Sequence, residues 1–147
     1  MTPTFEEFAA ARLAALRGYA QQLTADAELS GALVEEALIR TGLAWSRVIK
    51  DGDPEGYTRA TVVALYLSRW ARRRDPGSGR AGHATAPRSA RLRRTVMVLS
   101  QVDGLADDQI ARLVGVSERR VRRIAAEMRS RSMQLAGQTQ QVWATSR

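Results

Sequence analysis

A chain of 147 residues, 44% apolar but only 5% aromatic, has room for one compact domain or two very small ones. Its core must be built from Leu, Val, Ile and Ala, which suits packed helices better than a β-sandwich. The absence of cysteine excludes disulfides and thiolate metal sites, and the lone histidine, His83, cannot form a catalytic dyad or a His-rich metal site.

The formal charge of +8 is unevenly placed. Residues 1–70 hold 7 basic and 9 acidic side chains, a net −2, whereas residues 71–147 hold 16 basic and 6 acidic, a net +10. That division predicts a protein contact in the first half and a polyanion contact in the second. Lys50 is the single lysine; arginine is the better residue for bidentate phosphate and guanine recognition. No stretch approaches the roughly 18 apolar residues of a membrane span. Met1 to Glu7 lacks the basic start of a signal peptide, so a cytoplasmic protein without membrane contact is expected.

In chain order, the first predicted helix runs from about Phe5 to Leu23. Thr4 and Glu7 form a capping box, and Phe5, Phe8, Leu13, Leu16 and Leu23 fall on the inner face. A second helix is expected over about Glu28–Val48, burying Leu29, Leu33, Ala37, Ile39, Leu43 and Trp45. Asp53 and Pro54 suit the N-cap and first position of a third helix. That helix is expected to run to about Arg74, with Tyr57, Val62, Leu65, Tyr66 and Trp70 inward. Three helices with short connections predict a bundle over residues 1–74. Residues 75–89, rich in Gly, Pro, Ser and Ala, read as a flexible linker.

Helical periodicity returns over about Ala90–Val102, with Leu92, Val96, Leu99 and Val102 on one stripe. A short helix over about Ala106–Val114, a turn at Gly115-Val116-Ser117 and a last helix over about Glu118–Met133 follow. The tail, 136–147, reads as polar and frayed. The paired segments have the logic of a helix-turn-helix over residues 90–135. Ala111 is small where two helices cross, Gly115 supplies a positive φ, and Ser117 caps the second helix. Ile110, Val114, Val116, Val121 and Ile124 form the shared core. Ser117, Glu118, Arg119, Arg120, Arg122 and Arg123 are left on the side that would enter a DNA groove. Trp70, followed by Arg72, Arg73 and Arg74, has the composition of a grip on single-stranded DNA. The carboxylate pairs Glu6/Glu7, Glu35/Glu36 and Asp107/Asp108 are sequence neighbours and do not share a helix face. With no phosphate loop or nucleophile motif, neither enzymatic activity nor a cofactor is expected.

These motifs resemble the extracytoplasmic-function sigma factors, the small two-domain initiation subunits of bacterial RNA polymerase. The resemblance covers about residues 5–132. It rests on Phe5-Glu6-Glu7-Phe8, Leu23-Thr24, Leu33-Val34-Glu35-Glu36-Ala37-Leu38 and Trp45-Ser46-Arg47-Val48. It continues through Pro54-Glu55-Gly56-Tyr57, Arg69-Trp70-Ala71-Arg72-Arg73-Arg74 and the helix-turn-helix of Val96 to Met128. It implies an all-α protein with a region 2-like three-helix bundle and a region 4-like helix-turn-helix domain. It implies polymerase contacts at Leu33, Glu35, Glu36 and Leu38, and −10-type promoter contacts at Arg69, Trp70, Arg72, Arg73 and Arg74. The recognition helix from Ser117 to Arg123 would make −35-type contacts. The implied partners are core RNA polymerase, promoter DNA and an anti-sigma factor. The chain departs from the family where Ser30-Gly31-Ala32 replaces an acidic pair and where Val62-Val63-Ala64-Leu65 lacks an Asn. Two other readings stay open: a regulator using only the helix-turn-helix, and a sigma-like interaction module that no longer initiates transcription.

Overall fold

The computed structural model describes residues 2–68, 70 and 87–145, and among these every regular element is a helix. They are α1 (Phe5–Thr24), α2 (Ala27–Leu43), α3 (Trp45–Asp51), α4 (Pro54–Leu67), α5 (Arg88–Gln101), α6 (Asp107–Val114) and α7 (Glu118–Thr145). They fall into two compact units, residues 1–95 and 96–147.

Local chemistry sets the helix starts in the first unit. The Glu7 N–H donates to Thr4 Oγ1 at 3.2 Å while Glu7 Oε2 accepts from the Thr4 N–H at 2.9 Å, which satisfies two otherwise orphaned donors. Asp26 Oδ1 accepts from the N–H groups of Glu28 and Leu29, both at 3.0 Å, and Asp53 Oδ1 accepts from Gly56 at 2.9 Å. α1 packs on α2 and α4, α2 also packs on α4, and the short α3 lies against α4. Phe8, Leu16, Leu23, Leu33, Val34, Ala37, Val62, Val63 and Tyr66 are buried among them. Inside this apolar bundle the hydroxyls of Thr41 and Thr58 meet at 3.0 Å, and each lies 2.8 Å from a carbonyl one turn back; with one proton apiece they satisfy two of these three contacts at a time, and neither is left without a partner.

Three boundaries of the first unit differ from the sequence expectation. The single helix expected over 28–48 is two. The chain bends at Ala44, whose φ/ψ of −101°/10° is not helical, and the bend turns the Trp45 ring onto Phe5 and Phe8, with centroids 5.6 and 5.3 Å away. Trp45 is consequently half-buried, and Ile39 and Leu43, expected inside, face outward, Leu43 being 86% exposed. The helix expected to reach Arg74 stops at Leu67. Ser68 turns extended (ψ 172°), and its Oγ donates to the Leu65 carbonyl at 2.7 Å and accepts from the Trp70 N–H at 3.1 Å. A serine that offers the backbone such alternative bonds competes with helix continuation.

The third difference concerns α5. From sequence the second domain starts at residue 90, but Arg88–Thr95 belong to the first unit, and the boundary falls between Thr95 and Val96, inside α5. Arg91 is 2% exposed. One of its terminal nitrogens donates to the Tyr66 carbonyl at 2.5 Å and to that of Ser68 at 3.3 Å, while Arg94 Nε donates to the Gln22 carbonyl at 2.8 Å. Tyr66 and Gln22 sit in the last turns of α4 and α1, where carbonyls lack intrahelical partners and the dipole favours a cation. Burial pushes the Tyr66 phenol above its ordinary pKa, against the pull of Arg91 and Arg94, and its hydroxyl has no hydrogen-bond partner.

Arg91→Leu is expected to lower the unfolding free energy in urea by about 2–3 kcal/mol, because it strands buried acceptors. Tyr66→Phe strands nothing and should stay within about 1 kcal/mol of the parent. The raised phenol also gives a sign. Above about pH 10 the unfolded chain releases a proton that the folded chain holds, so stability falls with rising pH. Tyr66→Phe should flatten that limb of the stability–pH curve.

Candidate nucleic-acid interface

In the second unit, α6 and α7 pack together through a tight turn. Gly115 ends α6 with φ 72°. The N–H groups of Gly115 and Val116 both donate to the Ala111 carbonyl, at 3.0 and 3.2 Å. This left-handed C-terminal cap is favourable only for a residue without Cβ. Ser117 then caps α7, its Oγ accepting from the Arg120 N–H at 3.3 Å. At the other end of α6 the Gln109 side chain accepts from the Ala106 N–H at 2.9 Å, and Asp107 and Asp108 lie in the first turn, where the helix dipole stabilises acids. Ile110, Ala111, Val114, Val121 and Ile124 are buried, while Val116, in the turn, is half-buried.

The core position of Val121 and Ile124 determines which side of α7 faces out. Ser117, Glu118, Arg119, Arg120, Arg122 and Arg123 are all exposed. Arg119 and Arg123, four residues apart, lie on the side opposite Val121, with Arg122 beside them and Arg120 on the flank. Arg122 is oriented by the Glu118 carboxylate one turn earlier, a hydrogen bond that holds its guanidinium still more firmly protonated. Among the described residues Arg119, Arg120 and Arg123 have no ion-pair partner. The turn therefore presents three cations without carboxylate partners, and a fourth held by one, at the start of a helix.

The other sequence-derived sites fare differently. Leu33 is fully buried, so it holds α2 in the bundle rather than meeting a partner. Glu35 is exposed and Leu38 half-buried. Both line an open groove of about 680 Å³ between α1 and α2, together with Leu13, Ala32 and Ile39. Glu36 pairs with Arg40 at 2.9 Å. Trp70 is half-buried after the end of α4; Arg69, Arg72, Arg73 and Arg74 lie outside the described residues. Sequence reasoning missed the use of Arg91 and Arg94 as helix-end caps. The available signal was their position among Leu92 and Thr95 in an amphipathic stretch, where a basic residue falls on the inner face.

Among the described residues no group of three or more His, Cys, Asp or Glu could hold a metal, and no helix is long and apolar enough to cross a membrane. Comparison with protein-family profiles, curated proteins and solved structures found no match.

Gly115→Val forces a β-branched side chain into left-handed backbone, at a cost of about 1–3 kcal/mol. Circular dichroism on heating should show the second unit melting at lower temperature. Glu118→Gln should release Arg122 and leave the thermal melt followed by circular dichroism unchanged, because an exposed i,i+4 pair contributes little to stability.

Proposed function

We propose that this chain is a sigma-factor-like transcription initiation protein. Its first unit would meet core RNA polymerase and its second would read promoter DNA. The observation that carries this reading is the turn at Gly115 and Ser117, which starts a helix whose solvent side is Arg119, Arg122 and Arg123 with Arg120 on the flank. A helix presented in this way enters a major groove with its first turns toward the base edges. Arginine there can anchor on phosphate or grip guanine with two hydrogen bonds. In this reading Ser117 and Glu118 flank the −35-type contacts. Trp70 with Arg69, Arg72, Arg73 and Arg74 holds opened −10-type DNA, and Glu35 and Leu38 on the α1–α2 groove meet the polymerase. An anti-sigma factor would compete for those surfaces.

One observation favours a second reading, a regulator that binds DNA without polymerase. Where the family carries an acidic pair, Ser30 is buried and hydrogen-bonded to Thr24, so the polymerase-facing side lacks that charge.

Co-purification with core RNA polymerase, followed by promoter opening monitored with permanganate, separates the two. Polymerase binding weakened by charge reversal at Glu35 supports the first reading, and duplex binding without any polymerase complex supports the second. For the DNA contact itself, each Arg→Ala change at a phosphate is expected to reduce the slope of log affinity against log salt by about 1. A change at a guanine edge should lose about 1–3 kcal/mol of sequence discrimination. Arg119→Ala, in the first turn and opposite Val121, should relax sequence preference; Arg122→Ala and Arg123→Ala should weaken binding to all sequences alike. If all four Arg→Ala variants bind DNA like the parent at low and moderate salt, this helix is not the reader.

A further inference from the structure

α7 does not end where its packing ends. Its last buried residue is Ile124, and every residue from Arg129 to Thr145 is exposed although the helix continues to Thr145. The sequence predicts that the last helix ends near Met133 and that residues 136–147 fray. A stretch of this length is marginal as a lone helix in water, where about 12–15 residues are needed even for favourable sequences. Its composition is also unlike the rest of the chain. Residues 132–145 contain no charged side chain, in a protein that is 26% charged, yet they carry exposed Met133, Leu135, Val142 and Trp143, the last 74% exposed.

The apolar positions have a period. Val121, Met128, Leu135 and Val142 recur every seven residues, and the small residues Ala125, Ser132 and Thr139 recur every seven between them. This is a heptad seam. Its first residue, Val121, is buried, while the half-buried Ala125 and Met128 line an open groove of about 620 Å³ with Val96, Met97 and Met133. Its second part, from Ser132 onward, continues the same face into solvent.

We propose that this face pairs with the same face of a second copy of the chain, as an antiparallel two-helix seam over residues 128–145. The charge pattern selects the occupant. A segment without charges has nothing with which to choose an acidic or basic partner, and it is a stretch through which two copies of a +8 chain can approach without stacking like charges. The same pattern selects the direction. A parallel pair would set Arg129 and Arg131 against themselves. An antiparallel pair sets them beside the far end of the other helix, where the dipole favours cations. In the register that keeps the seam intact, Ser132 faces the partner's Val142 and Leu135 faces the partner's Thr139. Arg129 then lies on the same flank of the seam as the indole of the partner's Trp143, within reach of a cation–π contact. The pairing does not depend on what the helix-turn-helix binds.

Sedimentation equilibrium of the intact chain across the micromolar range should show a monomer–dimer equilibrium. Leu135→Glu should raise its midpoint concentration about tenfold or more, since two charges enter one seam. Gln141→Glu, on the opposite face of the helix, should leave it unchanged. Because the chain has no cysteine, direction can be read by mild oxidation of single-cysteine variants. A mixture of Ser132→Cys and Val142→Cys should form the mixed disulfide, and neither variant should link to itself. A chain that stays monomeric throughout, or a dimer indifferent to Leu135→Glu, overturns the proposal. Self-linked Ser132→Cys overturns the antiparallel register.

Discussion

Two arginines of α5, Arg91 and Arg94, rest on the open carbonyl ends of α4 and α1. α1 and α4 must pack together for their last turns to be reached from one helix, and α4 must stop at Leu67 for the Tyr66 and Ser68 carbonyls to be free. A guanidinium suits the task because it spreads one charge over several donors in a fixed plane and gives up water more readily than an ammonium. The geometry also binds residues that follow the Gly- and Pro-rich stretch to helices that precede it. The first unit is therefore completed by chain far along the sequence, and part of the positive charge of the second half serves the fold.

The second unit rests on a smaller constraint, the left-handed residue at Gly115. A hairpin of two helices this short has few buried side chains, and the turn decides whether Val121 and Ile124 meet Ile110 and Val114 at all. Once that register is set, the exposed arginines have no freedom of placement, because the helix period assigns them to the opposite side. Function in such a hairpin is a by-product of packing: the face that cannot be buried is the face that is presented. Glu118 adds refinement by holding Arg122 in one orientation while Arg119 and Arg123 keep their reach.

The same logic extends along α7. A helix face that begins as core at Val121 continues with the same seven-residue spacing at Leu135 and Val142, past the last buried residue of the helix. Charge is absent from that continuation, residues 132–145, and concentrated before it, where Arg119, Arg120, Arg122, Arg123, Arg129 and Arg131 fall.

Much of this was legible in the sequence because it is governed by neighbours a few residues apart. The capping box of Thr4 and Glu7, the Asp53-Pro54 start, the Gly115 turn with its Ser117 cap, and the inward Val121 and Ile124 depend on side chains reaching their own backbone or on the helical period. What the sequence could not determine depends on contacts between distant segments. The bend at Ala44 follows from the Trp45 ring finding Phe5 and Phe8, and it sends Leu43 outward despite its hydrophobicity. The end of α4 follows from Ser68 together with an arginine that comes 23 residues later. Leu33 lies in the core, as its helical spacing predicts, so it is not available for the partner contact that the resemblance assigned to it. Residue type and spacing thus determined where helices start and which residues can be basic and exposed, whereas packing across long loops decided where helices end and which arginines remain available to a partner.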